Sequence, residues 1–222
     1  MRKGFACLFY GSPGTGKTET VYQVARQTGR DIMYVNVSEI KSMWVGESEK
    51  NIQALFDRYR VLLQQTEHAP ILLFNEADAV IGIRQEGAQR AVDKMENSIQ
   101  NIILQEMEKL DGIMIATTNL TQNLDPAFER RFLFKIEFEK PNLEAKRAIW
   151  HSMIPSLSET DATILAKSYD FSGGQIENIA RKGIIDHIIR GRRSTLSMLH
   201  DYCKHELIHT KNIQRQPIGF RR

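Results

Sequence analysis

One octapeptide constrains this chain more than any other feature. Gly11-Ser12-Pro13-Gly14-Thr15-Gly16-Lys17-Thr18 fits the pattern G-x-x-x-x-G-K-[ST], which holds nucleotide phosphates. Its glycines let the backbone turn tightly and aim successive N–H groups at one anionic centre. Ser12, Pro13, Gly14, Thr15 and Gly16 supply that backbone. Lys17 adds a positive charge toward the β- and γ-phosphates, and the Thr18 hydroxyl can ligate Mg²⁺. The loop must open into a helix, whose N-terminus adds further N–H donors and a positive dipole end. The flanks meet that demand. Phe5–Tyr10 reads as a buried strand, and Glu19 to Gly29 reads as a helix closed by glycine, with Glu19 included among the nucleotide-contacting residues.

The next segment, Asp31–Val37, is a second strand, so the unit is strand–helix–strand and the sheet is parallel. A polar loop follows that carries Trp44-Val45. Taken alone, Trp44 reads as a packed core residue, because large aromatics are mostly buried. Glu47 to His68 has helical spacing, with Ile52, Leu55, Phe56, Tyr59, Leu62 and Leu63 on one stripe. Ile71–Phe74 is an apolar run that ends in Asn75-Glu76. Ligands of a parallel sheet sit at the carboxyl ends of its strands, so this polar pair points at the nucleotide. A carboxylate there can orient and polarise an attacking water, which is the role of Glu76. Asn75 stands where Mg²⁺ favours Asp: its amide can accept a hydrogen bond from a metal-bound water but carries no charge.

Residues 90–110 read as another amphipathic helix, ended by Asp111-Gly112. Ile113–Asn119 is a fourth strand with a polar exit, and Asp125-Pro126 starts a short helix expected to contain Arg130-Arg131. Leu133–Phe138 is the fifth strand. Beyond Pro141 only helical stretches remain, at about 142–154, 158–169, 174–190 and 195–209. The expected organisation is an α/β domain over 1–140 and a small all-α domain over 141–222.

Charge divides along the same line. Residues 1–140 hold 17 Lys and Arg against 19 Asp and Glu, net −2; residues 141–222 hold 13 against 8, net +5. The basic excess ends in an acid-free tail, Lys211–Arg222, which reads as a solvated end, with nucleic-acid contact as the lesser reading. Two cysteines, Cys7 and Cys203, are too few for a disulfide framework and suit a reducing, cytoplasmic compartment. No apolar run approaches membrane-spanning length. The first strand starts at Phe5 almost without lead, so the chain reads as a piece of a longer protein.

Taken together the motifs resemble the AAA ATPases of the AAA+ superfamily. The resemblance runs from about Lys3 to Ile208. Gly11–Thr18 matches Walker A, and Ile71–Glu76 matches Walker B with a departure at Asn75. Asn119 matches the sensor that positions water. Arg130 and Arg131 match arginine fingers. Gly173-Gly174, in Phe171–Glu177, matches the start of a lid helix beside the adenine. Trp44–Glu49 is similar to the pore loop of the katanin, spastin and ESCRT-disassembly branch, which turns Trp44 and Val45 into substrate-gripping residues. The resemblance implies a P-loop three-layer sandwich with strand order 5-1-4-3-2 followed by a four-helix lid. It also implies ATP and Mg²⁺ as cofactors, a hexameric ring of self-copies, and a polypeptide substrate. The alternatives are a nucleotide switch that barely hydrolyses, motivated by Asn75, and a nucleic-acid motor, motivated by the basic lid. The Trp-Val loop disfavours the latter, because a nucleic-acid groove wants Lys and Arg there.

His205-Glu206-Leu207-Ile208-His209 spells H-E-x-x-H, a zinc pair on a helix with a general base. A catalytic zinc needs a third protein ligand, and no His, Asp, Glu or Cys follows His209. The motif is therefore read as chance on a solvated helix.

Overall fold

The computed structural model describes residues 4–37, 48–83, 91–120, 122–191 and 194–207. Trp44 and Val45 lie outside them, as do His209 and the basic tail. The chain divides between Glu139 and Lys140 into two compact units.

In the first unit, strands β1 (Phe5–Gly11), β2 (Ile32–Asn36), β3 (Ile71–Asn75), β4 (Ile113–Thr118) and β5 (Phe134–Phe138) form one sheet. Every pairing is parallel, in the order β2-β3-β4-β1-β5, as expected. The sequence explains the layers. Side chains alternate across a strand, so Ala6 and Leu8, Leu72 and Phe74, and Met114 and Ala116 face one side. Cys7 and Phe9, Ile71 and Leu73, and Ile115 face the other. Both faces are apolar, so both must be covered. Val21 and Ala25 of α1 (Lys17–Thr28) cover the second face. The first face is covered by α2 (Ser48–Gln65), α3 (Asp78–Ile81), α4 (Ala91–Glu108) and α5 (Pro126–Glu129). They contribute Ile52, Phe56 and Tyr59, then Val80 and Ile81, then Ile99 and Ile103, and Phe128. The result is a three-layer sandwich.

Two details depart from the sequence reading. Gly112 does not cap α4, which stops at Glu108. It gives clearance to Tyr59: any Cβ there would collide with the tyrosine ring and hydroxyl. The buried Tyr59 hydroxyl donates to Pro70 O at 2.8 Å and accepts from Ile113 N at 2.9 Å, tying α2 to the strand starts. Burial pushes its pKa up to about 12. The second departure is that α5 ends before the arginines: Arg130 is its C-cap and Arg131 lies beyond it.

The second unit holds α6 (Leu143–Met153), α7 (Glu159–Ser168), α8 (Gly173–Arg190) and α9 (Leu196–Glu206). Trp150, Leu165, Phe171, Ile176, Ile179, Leu199 and Cys203 form its core. Each helix starts on a side-chain cap that accepts a backbone N–H: Asn142 from Ala145, Ser158 from Asp161, Ser172 from Gln175 and Thr195 from Met198. Such caps each stabilise a helix by about 1 kcal/mol. Glu206 is engaged by Lys182 and by Asn178 Nδ2 at 3.2 Å, so the acid of the H-E-x-x-H stretch is committed to a helix–helix ion pair. Among the described residues no helix is long and apolar enough to cross a membrane.

Candidate nucleotide site

Three strand ends of the first unit meet at one pocket of about 260 Å³, lined by Pro13, Gly14, Gly16, Lys17, Thr18, Glu19, Glu76, Thr117, Thr118 and Asn119. The loop after β1 forms one wall. Gly16 caps α1 at φ 92°, a left-handed conformation that a side chain disfavours, so glycine is needed where the loop enters the helix. Ser12 lies exposed on the loop, where its carbonyl accepts from Thr15 Oγ1 at 2.8 Å and shapes the turn.

Lys17 is buried, with an exposure of 7%, where lysines are mostly exposed. Its Nζ donates to Gly11 O and Ser12 O, each at 2.8 Å, and to Asn119 Oδ1 at 3.0 Å. An ammonium has three protons, and these acceptors match them. Burial holds the Lys17 pKa below the ordinary lysine range, and the Asp78 carboxylate partly opposes that shift.

The ends of β3 and β4 form the other wall. Thr18 Oγ1 donates to Asn75 Oδ1 at 2.7 Å, and Thr117 Oγ1 donates to the same oxygen at 3.0 Å. These oxygen donors suit a hard cation such as Mg²⁺. Thr18 and Asn75 therefore fit the expected metal site, although the pair carries no charge. Glu76 follows with φ 53°, an uncommon conformation for a non-glycine residue, and its N–H donates to Thr117 Oγ1 at 3.1 Å. Strained backbone of this kind concentrates at functional sites. Its carboxylate is exposed and borders the pocket.

Reading the sequence missed Thr117, Thr118 and Asp78. Asp78 Oδ1 accepts from the Asn119 N–H at 3.0 Å and from the Thr118 hydroxyl, and so fixes the turn that presents Asn119. The available signals were a carboxylate two residues after Glu76 and the threonine pair before Asn119.

Arg130 and Arg131 do not border this pocket. Phe134 pairs with Cys7, four residues before Gly11, so the arginines precede β5 at the amino edge of the sheet. At ~3.3 Å per residue the strand separates the two edges by more than about 13 Å. Arg131 is tied to its own chain: Nη1 donates to Ala127 O at 2.8 Å, Nε to Leu104 O at 3.1 Å, and Nη2 pairs with Glu108. Arg130 is exposed, with Nε on Pro126 O at 3.3 Å. Gly173 and Gly174 open α8 in the second unit, behind a Ser172–Gln175 capping box.

Residues 7–140 match the family model of the "ATPase family associated with various cellular activities (AAA)". Over 189 residues the chain is 35% identical to ATP-dependent zinc metalloprotease FtsH 1 of Sphaerobacter thermophilus, covering 80% of this chain and 28% of that protein. Protein CdcH of Halobacterium salinarum is 32% identical, with 81% and 24% covered. Vacuolar protein sorting-associated protein 4B of Mus musculus is 30% identical over 200 residues, with 85% and 43% covered. The chain thus spans about a quarter of the length of the first two relatives and under half of the third. Among solved structures, a chain of the E. coli MS115-1 HORMA:CdnC:Trip13 complex shares the fold, with a TM-score of 0.73, 24% identity, and 90% of this chain and 73% of that one covered.

Proposed function

The chain belongs to the AAA family of ATPases, and from that membership we propose that it is a Mg²⁺-dependent, ATP-hydrolysing module that works on polypeptide from within a ring. The convergence of Lys17, Thr18, Glu76 and Asn119 on one pocket carries this reading. The loop N–H groups and Lys17 bind the phosphates, and Ser12 through Glu19 enclose them. Thr18 and Asn75 hold Mg²⁺, which, when bound, neutralises phosphate charge. Glu76 accepts the proton of the attacking water, and Asn119 orients that water. Gly173 and Gly174 border the adenine. Arg130 and Arg131 serve the nucleotide of a neighbouring copy in a ring, hexameric as is typical of the family. Their position at the edge of the sheet away from their own phosphate loop supports this assignment. Trp44 and Val45 grip an extended polypeptide in the channel. Residues 1–140 form the nucleotide-binding domain and 141–222 the lid. Cys7 and Cys203 are free and buried, which suits the cytoplasm.

A second reading, a nucleotide switch with little turnover, is favoured by one observation. The Thr18–Asn75 pair is neutral, so the metal is held with one charge less than a carboxylate would give. ATPase rate measured against protein concentration separates the two. A rate per chain that rises with concentration supports the ring ATPase. Tight ATP binding without turnover at any concentration supports the switch.

A further inference from the structure

Asn75 poses a problem that a carboxylate would not. A carboxylate presents oxygen on both sides, whereas an amide presents oxygen on one and an N–H₂ donor on the other. With the amide reversed, a donor would face Thr18 and the cation. Thr117 fixes the orientation. Its hydroxyl is buried, with the residue 2% exposed. One lone pair is taken by the Glu76 N–H at 3.1 Å, and the hydroxyl proton goes to Asn75 Oδ1 at 3.0 Å. A reversed amide would leave that buried proton without its acceptor. In the orientation observed, Oδ1 also takes the Thr18 hydroxyl proton at 2.7 Å. The Thr18 proton is thereby directed at Asn75, which leaves lone pairs of its oxygen for the pocket that Thr18 lines.

We propose that Thr117 is a positioning residue that holds Asn75 in the one orientation in which a neutral amide can replace a carboxylate at the cation site. The Glu76 N–H donates to the Thr117 hydroxyl, and the hydroxyls of Thr117 and Thr18 both donate to Asn75 Oδ1, so the network converges on that oxygen. The Thr117 hydroxyl thus also holds the Glu76 backbone, so one side chain registers both Asn75, which ends β3, and Glu76 just beyond it. This inference rests on Thr18 and Asn75 being the metal end of the nucleotide site.

The test is the half-saturating Mg²⁺ concentration of the protein bound to a fluorescent ADP analogue. Affinity for the analogue without Mg²⁺ serves as the control for folding. Thr117→Val keeps the shape and removes the hydroxyl, and should raise the Mg²⁺ requirement about tenfold, as loss of a partner behind a metal ligand does. Thr117→Ser should restore it. In an Asn75→Asp background, where no wrong face exists, Thr117→Val should change the requirement by less than about twofold, a non-additivity that marks coupled residues. An equal penalty in both backgrounds, or no penalty with Asn75 present, overturns the proposal. Thr18→Ala tells the two levels apart. If it leaves the Mg²⁺ requirement unchanged, the metal assignment itself fails. If it weakens Mg²⁺ binding while Thr117→Val does not, the metal assignment stands and the role of Thr117 fails.

Discussion

Lys17 Nζ donates to Asn119 Oδ1 at 3.0 Å, joining the phosphate loop to the end of β4 across 102 residues of sequence. The bond passes stiffness in both directions. Asn119 is held from behind, because Asp78 accepts its backbone N–H, and Lys17 is held by the carbonyls of Gly11, at the end of β1, and Ser12. Charge delivered to the pocket therefore acts on both walls through one ammonium.

Lys17→Ala should weaken ATP binding about 10- to 100-fold, the range expected when a charge-assisted hydrogen bond is lost. Far-UV circular dichroism should be unchanged, because Lys17 belongs to neither hydrophobic core of the sheet. Isothermal titration with ATP is the measurement. Undiminished affinity would remove Lys17 from the phosphate site.

Glu76→Gln should bind ATP and fail to hydrolyse it. The amide fills the same volume at the same backbone angles and keeps the N–H bond to Thr117, but it cannot accept a proton. Loss of a general base costs about 10²–10⁴ in rate. Single-turnover hydrolysis should show that drop with the ATP dissociation constant near the parent value. Turnover near the parent rate would mean another group receives the proton.

The two arginines should differ in stability even if both act on a neighbour. Arg131 donates to two carbonyls and pairs with Glu108, so Arg131→Ala should cost about 1–2 kcal/mol. That corresponds to roughly 3–6 °C in melting temperature for a unit of this size. Arg130 is exposed, so Arg130→Ala should melt with the parent. Equal melting temperatures for all three proteins would show that the Arg131 contacts contribute nothing net.

The parts of this molecule that are legible in the sequence are those set by local chemistry or by period. Glycine spacing marks Gly11–Thr18, apolar runs mark strands buried on both faces, and the helical stretches beyond Pro141 match four helices, each found to start where a short polar side chain takes an N–H. What stayed hidden depends on distant partners. Gly112 looks like a helix stop until Tyr59, 53 residues earlier, is seen against it. Helix α3 spans four residues, Asp78–Ile81, too few to show a period, so the only trace of its carboxylate behind Asn119 was its place two residues after Glu76. The burial of Lys17 runs against the general exposure of lysines, and only the fold shows the Gly11 and Ser12 carbonyls that receive it. Thr117 reads as an ordinary strand residue until Asn75 and Glu76 arrive on the next strand.

The last expectation concerns assembly. Arg130 and Arg131 precede β5 at the amino edge of a parallel sheet, while the phosphate loop leaves the carboxyl edge of the neighbouring strand β1. On the proposed assignment, an arginine at that edge serves the γ-phosphate of another copy rather than its own. Nucleotide held between copies binds the assembled state in preference to the separate one, and so favours assembly by mass action. Activity per chain should rise with protein concentration, and the Arg130→Ala/Arg131→Ala protein should bind ATP while losing turnover. Mixing tests the arrangement directly. The double-arginine protein keeps Glu76, and Glu76→Gln keeps the arginines, so an interface with the pocket of the first and the arginines of the second has a complete set. The two inactive proteins should together regain part of the parent rate, rising with the fraction of mixed interfaces and falling on dilution. Recovery requires that subunits exchange, so the proteins are mixed before nucleotide is added. Full activity of the double-arginine protein, at a rate per chain independent of concentration, would show that each copy hydrolyses ATP alone and that the arginines only support the fold.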